Sequence, residues 1–146
     1  NDIKLRTIAR TEDLPDNVQK ELSTSIAERK NNKGMILCLA LNYGGRAEII
    51  DATKKLAADV KKGVRKLKDI DEDVFKEYMY TADMSDPDLL IRTGGEMRVS
   101  NFLLWEVSYA ELWFTSVYWP EFKKKHLDEA LKDYAKRERR FGGLIE

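Results

Sequence analysis

The chain is poor in the residues that carry most nucleophilic and metal chemistry. It holds one cysteine, Cys38, and one histidine, His126, in 146 residues. That excludes a disulfide framework and a Cys/His zinc site. It also leaves a single histidine to activate any nucleophile. An excess of one charge is lacking too, since 26 Lys+Arg balance 26 Asp+Glu. A general nucleic-acid binder is usually basic, so no nucleic-acid partner is expected. Long hydrophobic runs are missing: the longest, Met35 to Leu41, is seven residues, against about 20 for a membrane-spanning helix. Pro15, Pro87 and Pro120 stand alone, with no Pro/Gly linker, repeat or low-complexity tract.

What remains is an ordinary globular composition. Hydrophobic residues make up 42%, too many for a disordered chain. The length suits one domain or a large piece of one. Residues 3–9 alternate like a strand already in progress, directly after Asn1-Asp2, with no initiator Met and no leader-like segment. The expectation is a C-terminal part of a longer protein, its N-terminal part absent from this sequence.

Periodicity predicts a strand at 3–9 and a helix over 16–30 with Val18, Leu22, Ile26 and the Arg29 stem facing in. Met35 to Tyr43 reads as a strand buried on both faces. A helix follows over 47–62, with Ile49, Ile50, Leu56, Ala57 and Val60 on its inner face, stopped by Gly63. A short helix at 72–80, a strand at 89–92, a helix from Ser100 to Ala110, a strand at 112–116 and a basic helix over 127–140 complete the reading. Strands alternating with helices predict an α/β fold, a largely parallel central sheet flanked by helices. Ligands in such folds sit at the C-terminal ends of strands.

The stretch Asp86 to Ser100 is the richest in chemistry. A buried strand delivers Arg92 to its end, Gly94-Gly95 turn the chain, and Arg98 and Ser100 follow. Two guanidinium forks, a hydroxyl and a helix N-terminus form a cradle for phosphate or diphosphate. Alternatively, Arg92 and Arg98 pair with Asp86, Asp88 or Glu96, and Ser100 caps a helix. Glu111 comes eleven residues after Ser100, three turns further if the segment is helical. There it is either a surface glutamate or a carboxylate bridged to the diphosphate by Mg²⁺. Residues 102–122 hold eight aromatics, Phe102, Trp105, Tyr109, Trp113, Phe114, Tyr118, Trp119 and Phe122. That density suggests a subunit interface as well as core. His126 reads as a surface residue and Cys38 as a small buried hydrophobe.

Ile91-Arg92-Thr93-Gly94-Gly95-Glu96, Arg98-x-Ser100-Asn101-Phe102-Leu103-Leu104-Trp105 and Tyr109-Ala110-Glu111-Leu112 together resemble the cis-prenyltransferases, bacterial undecaprenyl diphosphate synthases most of all. Asn42-Tyr43-Gly44-Gly45-Arg46 and Arg137-Glu138-Arg139-Arg140-Phe141-Gly142-Gly143 match as well, so the resemblance runs over nearly the whole chain. It implies homodimers that add isopentenyl diphosphate, with cis geometry and with Mg²⁺, to an allylic diphosphate such as farnesyl diphosphate. The product is a long polyprenyl diphosphate carrier lipid, made in the cytoplasm at the inner membrane surface. Arg92, Arg98 and Ser100 match the residues that hold the diphosphate of isopentenyl diphosphate. Glu111 matches the metal-linked glutamate. Arg140 and Gly142 match an Arg-x-Gly element that reaches the neighbouring subunit's site. Met35 and Ile3 fall on strands lining the far end of the product tunnel.

Two departures from the family pattern stand out. Its Asp-Gly-Asn-Gly-Arg-Trp segment, which supplies the aspartate that works with Mg²⁺, is not in these 146 residues. The chain therefore reads as the C-terminal part of a single catalytic domain, with no catalytic residue of its own and no turnover alone. Met97 stands where many bacterial members have histidine. Two rival readings are a non-catalytic partner subunit of a prenyltransferase and a phosphate-binding α/β domain of another kind.

Overall fold

A computed structural model describes residues 2–8 and 10–138. The chain divides into two compact units, Asn1–Met84 and Ser85–Glu146. In the first, strand β1 (Lys4–Ile8) pairs in parallel with β2 (Ile36–Ala40), Lys4 opposite Ile36 and Ile8 opposite Ala40. Two parallel neighbours cannot be joined by a tight turn, so the chain must cross over. Helix α1 (Asp16–Arg29) makes that crossover and packs on β1. Its Leu22, Ile26 and Arg29 are half-buried as their spacing predicts, whereas Val18 is exposed. Helix α2 (Gly45–Lys61) follows β2, and the short α3 (Glu72–Lys76) has its Asp71 side chain accepting from the Val74 N–H. The buried apolar residues of this unit are Ile8, Ala52, Leu56 and Met79.

Two expectations change here. Strand β2 is not covered on both faces: Ile36 is 50% and Leu37 44% exposed, and as consecutive strand residues they point to opposite faces, so both faces are open at the start of β2. On α2 the covered stripe is Gly45, Glu48, Ala52 and Leu56. Ile50 and Ala57 face outward. The i, i+4 stripe runs through a glutamate, which hydropathy alone assigns to the outside.

In the second unit, β3 (Leu89–Arg92) pairs in parallel with β4 (Glu111–Phe114), Leu89 opposite Glu111 and Arg92 opposite Phe114. Helix α4 (Lys124–Tyr134) closes the described chain and buries Ala130. His126 does more than lie on the surface. Its Nδ1 accepts from the Lys123 N–H at 2.9 Å, capping α4, and its ring lies 5.5 Å from that of Phe122. Both described strand pairs are parallel, and α-helices lie between β1 and β2, between β2 and β3 and after β4, so the α/β class expected from the sequence holds.

The helix expected over 100–110 is absent. Ser100, Asn101 and Leu103 have φ of 52°, 63° and 44°, a left-handed conformation that costs an L-residue about 1–2 kcal/mol and cannot continue a right-handed helix. Only a 3-10 turn at Glu106–Tyr109 forms before β4. The crossover between β3 and β4 is thus irregular.

Candidate functional site

Arg92 is the last residue of β3, and the chain turns immediately after it. Gly94 and Gly95 have φ of 88° and 79°, a region open to glycine at little cost. Their N–H groups donate to the Val117 and Thr115 carbonyls, both at 2.9 Å. The turn is therefore tied down beside the end of β4. This returns the chain so that Arg98 and Ser100 come back to Arg92. The Arg92 Nη1 donates to Ser100 Oγ at 2.9 Å and to the Arg98 carbonyl. Its Nη2 donates to Glu96 Oε2, while Arg98 Nη2 pairs with Glu96 Oε1.

One carboxylate is thus shared by two guanidinium groups. Of the two open readings, the structure shows part of each: Arg92, Arg98 and Ser100 converge as a cradle requires, and Glu96 is one of the carboxylates that could pair with them. Arg92, Arg98 and Ser100 line a pocket of ≈ 340 Å³ together with Leu90, Ile91, Thr93, Val99 and Phe102. The expected helix N-terminus is missing, so no helix dipole helps at Ser100. The donors are side-chain forks and a hydroxyl. Met97 is 79% exposed.

Glu111 lies elsewhere. It opens β4 opposite Leu89, whereas Arg92 closes β3 opposite Phe114. Three residues of strand separate the two ends, about 10 Å along the sheet. Glu111 Oε2 accepts from Arg137 Nη1 at 2.8 Å. Arg137 also donates to the Leu112 carbonyl and to Asp133 Oδ2, at 3.0 and 2.6 Å. Its pKa is raised, first by the bond to Glu111 and then by that to Asp133. Arg137 was not anticipated as Glu111's partner. Ile3 and Met35 come together at the N-terminal end of the β1–β2 pair, where the Lys4 N–H donates to the Met35 carbonyl. Met35 is 63% exposed. Arg140 and Gly142 lie outside the described residues.

The sequence reading also missed a polar network in the first unit. Glu48 is completely buried. It accepts from the Tyr43 hydroxyl and, at 2.8 Å, from the Tyr80 N–H. The Tyr80 hydroxyl donates to Asp51, which Arg10 grips through Nε and Nη2, both at 2.8 Å. Arg10, then Tyr80, hold the Asp51 carboxyl down to about 2. Burial, then Asp51, push the Tyr80 hydroxyl up. The signal was the position of Glu48 four residues before Ala52 and eight before Leu56. Cys38 is half-buried and its thiol is pushed up, chiefly by burial, as suits an unreactive residue.

A pair of arginine forks beside a hydroxyl, at the C-terminal end of a parallel strand of an α/β protein, is an arrangement chemically able to receive an oxyanion. Comparison with known proteins supplies the family. Residues 1–142 match the family model described as "Putative undecaprenyl diphosphate synthase", and the chain belongs to this cis-prenyltransferase family. It is 48% identical over 144 residues to an isoprenyl transferase of Clostridium tetani, covering 99% of this chain and 56% of that protein. An isoprenyl transferase of Geobacter sulfurreducens is 49% identical over 142 residues, 97% and 58% of the two chains. The crystal structure of lavandulyl diphosphate synthase from Lavandula x intermedia, in complex with dimethylallyl diphosphate, superposes with a TM-score of 0.93 at 39% identity, covering 96% of this chain and 60% of that one. The chain spans a little over half the length of the curated relatives it matches.

Proposed function

We propose that the protein to which these residues belong condenses isopentenyl diphosphate with an allylic diphosphate, with cis geometry, to a polyprenyl diphosphate. In this reading Arg92, Arg98 and Ser100 hold the diphosphate of isopentenyl diphosphate. The observation that carries it is the convergence of these three side chains at the end of β3, in a chain whose family is established. The reaction ionises an allylic diphosphate and lets an alkene attack the resulting cation. It needs anion clamps, an apolar channel and exclusion of water, and no thiol or imidazole nucleophile. Such a chain suits it, since its one cysteine has a raised pKa and its one histidine caps a helix.

The primer is read as farnesyl diphosphate. Arg140 and Gly142 are read as completing a neighbouring subunit's site. Dimerisation is assigned to the aromatic segment 102–122, supported by the exposure of Tyr109, Tyr118 and Trp119. Met35 and Ile3 are read as the far end of the product channel. Among the described residues no helix is long and apolar enough to cross a membrane; action at the cytoplasmic membrane surface is read from the lipid nature of the proposed product alone.

Mg²⁺ is the cofactor the family implies. Among the described residues no three His, Cys, Asp or Glu side chains group to hold a metal ion, and Glu111 is already bonded to Arg137. Mg²⁺ is commonly held by one or two carboxylates together with substrate phosphates, and Glu111 is the described carboxylate read as serving it.

The test is incubation of the full-length protein with farnesyl diphosphate, labelled isopentenyl diphosphate and Mg²⁺, with products separated by length. A polyprenyl ladder is the expected result. No product with any allylic primer overturns the reading in favour of a partner subunit. The 146-residue chain by itself is expected to give no turnover, and product from it would show that these residues hold the whole catalytic apparatus.

A further inference from the structure

We propose that Glu96 is an internal counter-ion that competes with the incoming diphosphate for Arg92 and Arg98 and so sets the affinity of the site. The inference rests on the reading of Arg92 and Arg98 as diphosphate ligands and adds a residue to it. Each carboxylate oxygen of Glu96 faces a different guanidinium, Oε2 on Arg92 and Oε1 on Arg98. Two separated acceptor oxygens bridging two arginines are what a diphosphate would also offer. Glu96 is not among the residues lining the ≈ 340 Å³ pocket that Arg92, Arg98 and Ser100 share. Its grip therefore takes one nitrogen of each fork, Nη2 of Arg92 and Nη2 of Arg98, away from the pocket.

The exchange needs a side-chain movement only. Gly94 and Gly95 anchor the turn to Val117 and Thr115, so the backbone holds while the Glu96 side chain, 46% exposed, swings into water. Arg98 is freer than Arg92, with side chains 61% and 24% exposed. The order of release follows: Arg98 leaves the carboxylate first, and Arg92 keeps its bond to Ser100 throughout. Among these three side chains two positive groups face one negative group. A polyanion brings more charge to the forks than Glu96 does, which makes the displacement favourable.

A latch and a brace differ in the sign of the effect when the carboxylate is removed. In the full-length protein Glu96→Gln is expected to bind inorganic pyrophosphate about two- to thirtyfold more tightly by calorimetry, at low salt with a chelator present. That range follows from two partly exposed pairs worth about 0.2–1 kcal/mol each. Inhibition of turnover by pyrophosphate should strengthen by the same factor, and KM for isopentenyl diphosphate should fall. Glu96→Asp, too short to bridge both forks, should fall between. Unchanged or weaker pyrophosphate binding by Glu96→Gln, while Arg92→Gln weakens it, overturns the latch and leaves the site assignment standing. Unchanged binding in Arg92→Gln removes the site assignment and the latch with it. A gain of affinity cannot arise from misfolding, so a fold defect cannot imitate the expected result.

Discussion

The two parallel strand pairs solve the same connection problem in opposite ways. Between β1 and β2 the chain crosses over as helix α1, and no described residue there has a positive φ. Between β3 and β4 it crosses over with no α-helix at all, and five residues, Gly94, Gly95, Ser100, Asn101 and Leu103, are left-handed. A helix satisfies its own backbone and presents side chains outward at fixed spacing. The irregular crossover folds back instead, and so brings Arg98, Ser100 and Glu96 onto Arg92. Strain of this kind survives where surrounding contacts over-determine it, and it collects at functional sites. The charge networks differ in the same sense. Arg10 and Asp51 form a one-to-one fork braced by Tyr80, whereas Arg92 and Arg98 share one carboxylate. The first arrangement is closed, and the second has positive charge to spare.

The largest effect that follows is on ligand binding in the irregular crossover. Arg92→Gln removes a fork that reaches Ser100, Glu96 and the Arg98 carbonyl. A charge-assisted hydrogen bond is worth about 1.5–3 kcal/mol, which is about 10- to 150-fold. KM for isopentenyl diphosphate in the full-length protein should rise by that factor. A rise under twofold would show that the crossover is strained for some other purpose. Next in size is Glu48→Ala in the first unit. The Tyr43 hydroxyl can turn toward another acceptor, but the Tyr80 N–H cannot. Stranding it costs about 1–3 kcal/mol, measurable as a lowered denaturation midpoint. A stability loss there without change in pyrophosphate affinity would confirm that this network braces and does not bind.

The same contrast explains what could be read from the sequence. Strands and the long helices of regular period were legible, because burial and backbone geometry impose the same spacing on them. The segment 100–110 was not. Phe102, Trp105 and Tyr109 have helical spacing, yet Ser100 and Asn101 are left-handed, and spacing carries no information about the sign of φ. The convergence of Arg92, Arg98 and Ser100 was legible because a strand end, two glycines and a hydroxyl lie close in sequence. Glu111 with Arg137, and Glu48 with Tyr80, are separated by 26 and 32 residues. Partners at that separation are fixed by the fold, and a polar residue on a covered helix stripe was the one available clue.

The closed network also predicts how acid acts on the first unit. Arg10 holds the Asp51 carboxyl down to about 2, below the ordinary carboxylate near 3.8. A group depressed in this way stabilises the fold fully above its unfolded value and loses that contribution as pH falls through its folded one. Melting temperature should therefore decline between about pH 4 and pH 2. Asp51→Asn should lower it above pH 4 and flatten the decline, as read by circular dichroism. An unchanged acid limb in that variant would show that Asp51 is not held as its contacts indicate.

The smallest effects test the two crossovers directly, by placing alanine in each. Asn101 has φ of 63°, where alanine lacks the local hydrogen bonding that eases asparagine into this conformation. Asn101→Ala should cost about 1 kcal/mol. Ser23 is an exposed residue inside α1, its hydroxyl donating back to the Gln19 carbonyl at 2.8 Å. Alanine is the better helix former by up to about 0.5 kcal/mol, and the back-bond slightly opposes the helix. Ser23→Ala should therefore stabilise by a few tenths of a kcal/mol. Opposite signs from the same replacement residue, measured by urea denaturation, would show that one crossover follows local preference and the other departs from it. Equal signs would mean that tertiary contacts, and not φ, decide both.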